Sequence, residues 1–117
     1  MLLSEISGLL GCETIDGFEH LLDVEIALCF AADLMSEVLA FCAPGALLIT
    51  GLTNVQSVHT ADIADLRAIL YVNDKRPDSA VVALARHRGI PLLSTKLTMF
   101  AACGILYNQG LRPAWKH

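Results

Sequence analysis

A chain of 117 residues is one domain's worth of sequence, large enough to bury about two-thirds of its unfolded surface and to stand without disulfides or a structural metal. Twelve acidic residues against eight Lys and Arg leave a net charge of −4, which excludes the basic footprint that a nucleic-acid backbone requires. An apolar fraction of 55% is more than so small a domain hides by itself, so a homo-oligomer is expected, with a dimer favoured.

In chain order, Leu2, Leu3, Ile6, Leu9 and Leu10 recur at helical spacing, with Ser4 as the capping residue and Gly11 as the stop. The pattern fades from Cys12 to His20, where Asp16-Gly17 signals a turn that either joins short strands or forms a loop. Val24 to Phe30 becomes continuously apolar, as a strand does on entering a covered sheet. Asp33 is placed to cap a helix whose Leu34, Val38 and Phe41 share one face, and Pro44-Gly45 ends it.

Three short apolar strands follow, Ala46 to Thr50, Ala68 to Val72 and Ile90 to Ser94. Between the first two, Thr53-Asn54-Val55-Gln56 fits a capping box that starts a helix, and the apolar spacing leaves open whether that helix runs through Thr60 to Leu66. Between the second and third, Pro77-Asp78 opens a helix that closes on Arg86-His87-Arg88 and Gly89. Thr95 or Thr98 caps a last helix with Met99, Cys103, Leu106 and Tyr107 on one face and Gly110 at its end. The tail from Leu111 to His117 has no pattern, although Trp115 is able to dock on the core.

Strands alternating with helices at this spacing predict an α/β domain over residues 1–117, with a mostly parallel sheet, flanking helices and Rossmann-like layering. In such a sheet the loops after the strands gather at one end. That rim gathers Asp33, Thr50, Gly51, Thr53, Asn54, Lys75, Arg76, Thr95 and Lys96 as candidate ligand-binding residues. Free helix N-termini, hydroxyls and cations together suit a phosphate or carboxylate. The plainer reading of the same residues is helix capping and solvated charge.

Catalytic motifs are missing: there is no Gly-x-x-x-x-Gly-Lys-Ser/Thr, no Gly-x-Gly-x-x-Gly after a strand and no Gly-x-Ser-x-Gly. His59 with Asp62 or Asp65 is the best acid–base pairing on offer, and a lone surface His is usually inert. Cys12, Cys29, Cys42 and Cys103 are scattered through apolar segments without zinc-ligand spacing, so they read as reduced core thiols of a cytoplasmic protein and no metal or cofactor is expected. No basic leader precedes an apolar run, and no apolar stretch is long enough to span a bilayer.

Taken together, Gly45-Ala-Leu-Leu-Ile-Thr-Gly51, Asn54, Thr60-Ala61-Asp62, Lys75-Arg76-Pro77-Asp78, Gly89-Ile90-Pro91-Leu92-Leu93-Ser94-Thr95 and Met99-Phe100-x-Ala102-Cys103-Gly104 resemble the DRTGG domain over nearly the whole chain. That family occurs alone, inside phosphotransacetylases, and in a form related to the N-terminal domain of HPr kinase/phosphorylase. The literal Asp-Arg-Thr-Gly-Gly string and the kinase phosphate loop are both absent here, so kinase activity does not carry over. The resemblance implies a free-standing, non-catalytic regulatory or protein-interaction module whose partner protein the residues do not name. The alternative is a small Rossmann-like nucleotide-binding protein or phosphoryl- or acyl-transfer enzyme working at the same rim.

Overall fold

The computed structural model describes all residues 1–117. Five strands form one sheet: β1 (Leu28–Ala31), β2 (Leu47–Thr50), β3 (Ala68–Tyr71), β4 (Leu92–Ser94) and β5 (Arg112–Pro113), in the order β4-β3-β2-β1-β5. Every pairing between them is parallel, with Cys29 opposite Leu47, Leu47 opposite Ala68 and Ile69 opposite Leu92. The five α-helices are α1 (Leu3–Leu9), α2 (Met35–Phe41), α3 (Val55–Ile63), α4 (Ser79–Arg88) and α5 (Met99–Asn108).

β2 and β3 sit inside the sheet with both faces covered, so their residues read as unbroken apolar runs rather than an alternation. Their side chains feed two cores. Leu48, Ile69 and Tyr71 pack with Met35 and Val38 of α2, Val58 and Ala61 of α3, and Val81 and Ala85 of α4. On the opposite face, Leu47, Ile49 and Leu70 pack with Leu3 and Ile6 of α1 and Ala102 and Leu106 of α5. Each fully buried Leu or Ile contributes about 2 kcal/mol by leaving water.

The connections β1-α2-β2-α3-β3-α4-β4 step along the sheet in one direction and lay their helices on one face. From β4 the chain crosses by α5 on the other face and returns beyond β1 to β5. The carboxyl ends of β1 to β4 therefore share one edge, as the strand–helix alternation requires.

Several local expectations change. The strand expected from Val24 narrows to Leu28–Ala31, because Glu25 is bridged antiparallel to Leu2. Ser4 does not cap α1; Leu2 stands at that position, and the Glu5 carboxylate accepts its N–H at 2.8 Å. α3 runs without a break to Ile63 and stops where Asp65 turns left-handed, φ 57°. The segment after Cys12 becomes a loop with a short 3₁₀ turn, Glu19–Leu21, and a single bridge from Glu13 to Ser94. The tail supplies a fifth strand: Arg112-Pro113 pairs with β1, Trp115 bridges to Cys42, and the indole stacks on Phe41 at 4.8 Å.

Three ends match their sequence signals. The Asp78 carboxylate accepts the Val81 N–H at 3.0 Å, the Thr98 hydroxyl accepts the Ala101 N–H at 3.2 Å, and Gly89 closes α4 at φ 70°. α5 departs from its expected face: Ala102 and Leu106 point into the core, Met99 and Cys103 are half-buried, and Tyr107 turns outward.

Candidate functional site

The carboxyl edge of β1, β2 and β3 holds the densest polar cluster. Asp33 follows β1 and was expected to cap α2; Leu34 occupies the cap position, in extended conformation and without a side-chain bond. Asp33 reaches across to β2 instead. Its Oδ1 accepts the Gly51 N–H at 2.7 Å and the Thr50 hydroxyl at 3.1 Å, while the Leu52 N–H donates to Thr50 Oγ1 at 3.1 Å. The last turn of β2 is thus fixed by a carboxylate 17 residues upstream, and every polar atom of the buried Thr50 side chain is satisfied.

The loop after β3 completes the cluster. Asn73 and Asp74 both take left-handed backbone angles, φ 64° and 59°, and the Lys75 N–H donates to Val72 O at 3.3 Å, which is a type I′ turn. Asn and Asp are the non-glycine residues that tolerate this conformation. The turn is tied to the loop after β4, since the Asn73 N–H donates to Leu97 O at 2.8 Å and the Asp74 N–H to Thr95 O at 3.0 Å. Ser94 Oγ donates to Lys75 O at 2.7 Å.

These anchors bring Asn73 and Lys75 over Gly51. A methyl group built on Gly51 would lie 3.4 Å from Asn73 Nδ2, 3.5 Å from Asp33 Oδ1 and 3.7 Å from Lys75 Nζ. An alanine would fit there, whereas a longer side chain would occupy the gap. The space beside Gly51 is edged by an acceptor, an amide donor and an ammonium.

The remaining expected residues divide. Thr95 is buried; its hydroxyl donates to Leu10 O at 2.8 Å and accepts the Leu97 N–H at 3.3 Å, so it ties α1 to the rim. Thr53 forms no capping box, because Asn54 is the cap residue of α3 and its own side chain makes no capping bond. Arg76 is paired with Glu13 at the β4 edge, while Lys75 and Lys96 make no ion pair. Asn73 is the member that sequence reasoning did not single out; the Asn-Asp pair directly after a strand was its signal.

Burial pushes the thiols of Cys12 and Cys42 up to about 11 and that of Cys29 to about 12, so they rest protonated at neutral pH. Cys103 is raised by burial as well. Tyr71, beneath the start of α3, is pushed up to about 12 by burial, and its hydroxyl lies 2.7 Å from Ser57 Oγ. Ser57 spends its proton on Asn54 O at 2.7 Å, so the phenol is the donor to Ser57. No group of three metal-ligating side chains is gathered anywhere in the chain, and no helix is long and apolar enough to cross a membrane.

A family model for the DRTGG domain matches residues 5–108. The chain belongs to the DRTGG domain family. No curated protein matches this DRTGG domain. Among solved structures it is similar to the crystal structure of the CBS and DRTGG domains of the regulatory region of Clostridium perfringens pyrophosphatase, complexed with its activator diadenosine tetraphosphate. The two are 17% identical with a TM-score of 0.73, over 94% of this chain and 47% of that one. This DRTGG domain therefore shares the neighbour's fold and spans less than half its length.

Proposed function

We propose that this DRTGG domain is a non-catalytic regulatory or protein-interaction module of the cytoplasm, self-associated as a dimer, that senses a small anionic effector such as a nucleotide or acyl phosphate at the carboxyl edge of its sheet. The observation that carries the reading is the convergence of Asn73, Lys75 and Asp33 on Gly51. Lys75 makes no ion pair within 4.0 Å, so its ammonium is open to an anion, with the Asp33 carboxylate facing it across the space beside Gly51. Asp33, already holding two donors on Oδ1, keeps its second oxygen for a hydroxyl of the same ligand. The neighbour in Clostridium perfringens pyrophosphatase supports the regulatory part, being a regulatory region bound to a nucleotide activator.

The test is a thermal-shift and calorimetric titration with adenine and guanine nucleotides, diadenosine tetraphosphate and acetyl phosphate. At a hundredfold excess over Kd a ligand adds about 2.7 kcal/mol to stability, a rise of about 10 °C for a domain of this size. Lys75→Ala and Asn73→Ala are expected to abolish the rise. A panel that moves nothing refutes the effector reading, and phosphate release from any panel member would favour the enzyme alternative over it.

A further inference from the structure

α5 packs on the face of the sheet that Leu47, Ile49 and Leu70 present, and at its β1 side the facing side chains are small. Cys29 and Ala31, two apart on β1, point to this same face, and Cys103 of α5 stands across from them. β5 covers the outer side of β1 only at Leu28 and Cys29, so nothing from the sheet closes the space beside Ala31. The result is an apolar hollow of about 160 Å³, walled by Cys29, Ala31, Cys103 and Leu106 and flanked by Tyr107 and Arg112. That is close to the ~150 Å³ at which an apolar cavity takes up a benzene ring. Burial holds the thiols of Cys29 and Cys103 protonated, so they count as apolar wall.

Arg112 is the one charged residue that lines this hollow. Its guanidinium lies over the Tyr107 ring, 4.8 Å from the centroid, and its Nη1 donates to Leu111 O at 3.0 Å and to Tyr107 O at 3.5 Å. These contacts fix the group through one nitrogen. Nε and Nη2 make no hydrogen bond within the chain, and Arg112 takes part in no ion pair. A held guanidinium with a free edge, set beside an apolar hollow, suits a molecule that is apolar at one end and anionic at the other.

We infer that the hollow binds a small monocarboxylate, its benzene-sized or short alkyl body among Cys29, Ala31 and Cys103 and its carboxylate paired with Arg112. The single cation selects a single charge. A phosphate monoester carries nearly two negative charges at neutral pH, and here the second would face apolar wall with no cation to meet it. The hollow is also separate from the effector edge. Arg112 stands opposite Leu28, and Asp33 lies five residues further along, roughly 16 Å of extended chain. The inference therefore does not rest on the proposed effector reading.

The test is titration of the full chain with benzoate and hexanoate, followed by amide chemical shifts, with benzamide and phenyl phosphate as controls. Benzoate at millimolar concentration is expected to move the amides of Cys29, Cys103 and Arg112 and to slow alkylation of the half-buried Cys103 by iodoacetamide. Benzamide, the neutral isostere, is expected to bind about tenfold more weakly. Arg112→Gln, at an exposed position, is expected to lower benzoate to the level of benzamide at an unchanged melting temperature. Ala31→Leu, also exposed, fills the hollow and is expected to abolish both, whereas Lys75→Ala leaves benzoate binding as it is in the native chain. The inference is overturned if neither carboxylate moves these amides, if benzoate and benzamide bind equally, or if phenyl phosphate binds more tightly than benzoate. Shifts that centre on Gly51 and disappear in Lys75→Ala would assign the anion to the effector edge and sink the second site.

Discussion

Replacing Asp33 separates its structural role from its chemical one. Asp33→Ala removes the acceptor of two donors, the Gly51 N–H and the hydroxyl of Thr50, whose residue has no exposed surface. Leaving two donors orphaned at a buried turn costs roughly 1–3 kcal/mol each; water reaching the exposed Asp33 side recovers part of it, leaving about 2–3 kcal/mol. A chain of 117 residues unfolds with an entropy that makes 1 kcal/mol worth about 4 °C, so the melting temperature is expected to fall by about 10 °C. Asp33→Asn keeps a carbonyl oxygen for the same donors and is expected to cost about 1 kcal/mol or less. Urea titrations with parallel thermal melts measure both. Equal losses in the two variants, or an Asp33→Ala protein as stable as the native one, would refute the assignment of Asp33 as the anchor of the β2 turn.

Two further outcomes follow from the buried polar groups. Ser57→Ala orphans the Tyr71 hydroxyl in the core and is expected to cost about 2 kcal/mol, whereas Tyr71→Phe, which leaves Ser57 bonded to Asn54, is expected to cost about 1 kcal/mol; denaturant titration giving the reverse order would undo the donor assignment. Stability is also expected to decline in alkali. Below about pH 9 the thiols are neutral in both states and their contribution is fully present; above it the unfolded chain releases protons that the folded chain holds until about pH 11 to 12. Urea midpoints that stay level from about pH 8 to about pH 10.5 would contradict this burial of the cysteines.

β2, β3 and β4 were legible because burial on both faces writes itself into sequence as unbroken apolar runs. The ends of α4 and α5 were legible too, since Asp78, Gly89 and Thr98 act on backbone within a turn of themselves. What stayed hidden was long-range. Asp33 looked like a cap for the helix that follows it, and its partners proved to be 17 and 18 residues away. Arg112-Pro113 has no strand pattern of its own and is extended because β1 offers it a free edge, a place where proline is tolerated. Thr53 and Gln56 matched a capping box by spacing, yet Ser57 and Tyr71 hold the start of α3 from inside the core. At the rim, membership could be read from topology. Which residues actually converge depended on a type I′ turn that two non-glycine residues adopt.

Both margins of the sheet are blunted. β5 is two residues long and contains a proline, and β4 has the Glu13 backbone laid against Ser94, with Arg76 clasping the Glu13 carboxylate. An open parallel sheet would otherwise present rows of unpaired amides to any other chain at hand, the usual route to runaway cross-chain strand pairing. With those rows short or partly covered, crowding this domain at high concentration should yield discrete particles rather than fibres, since growth by strand addition finds little edge to begin on.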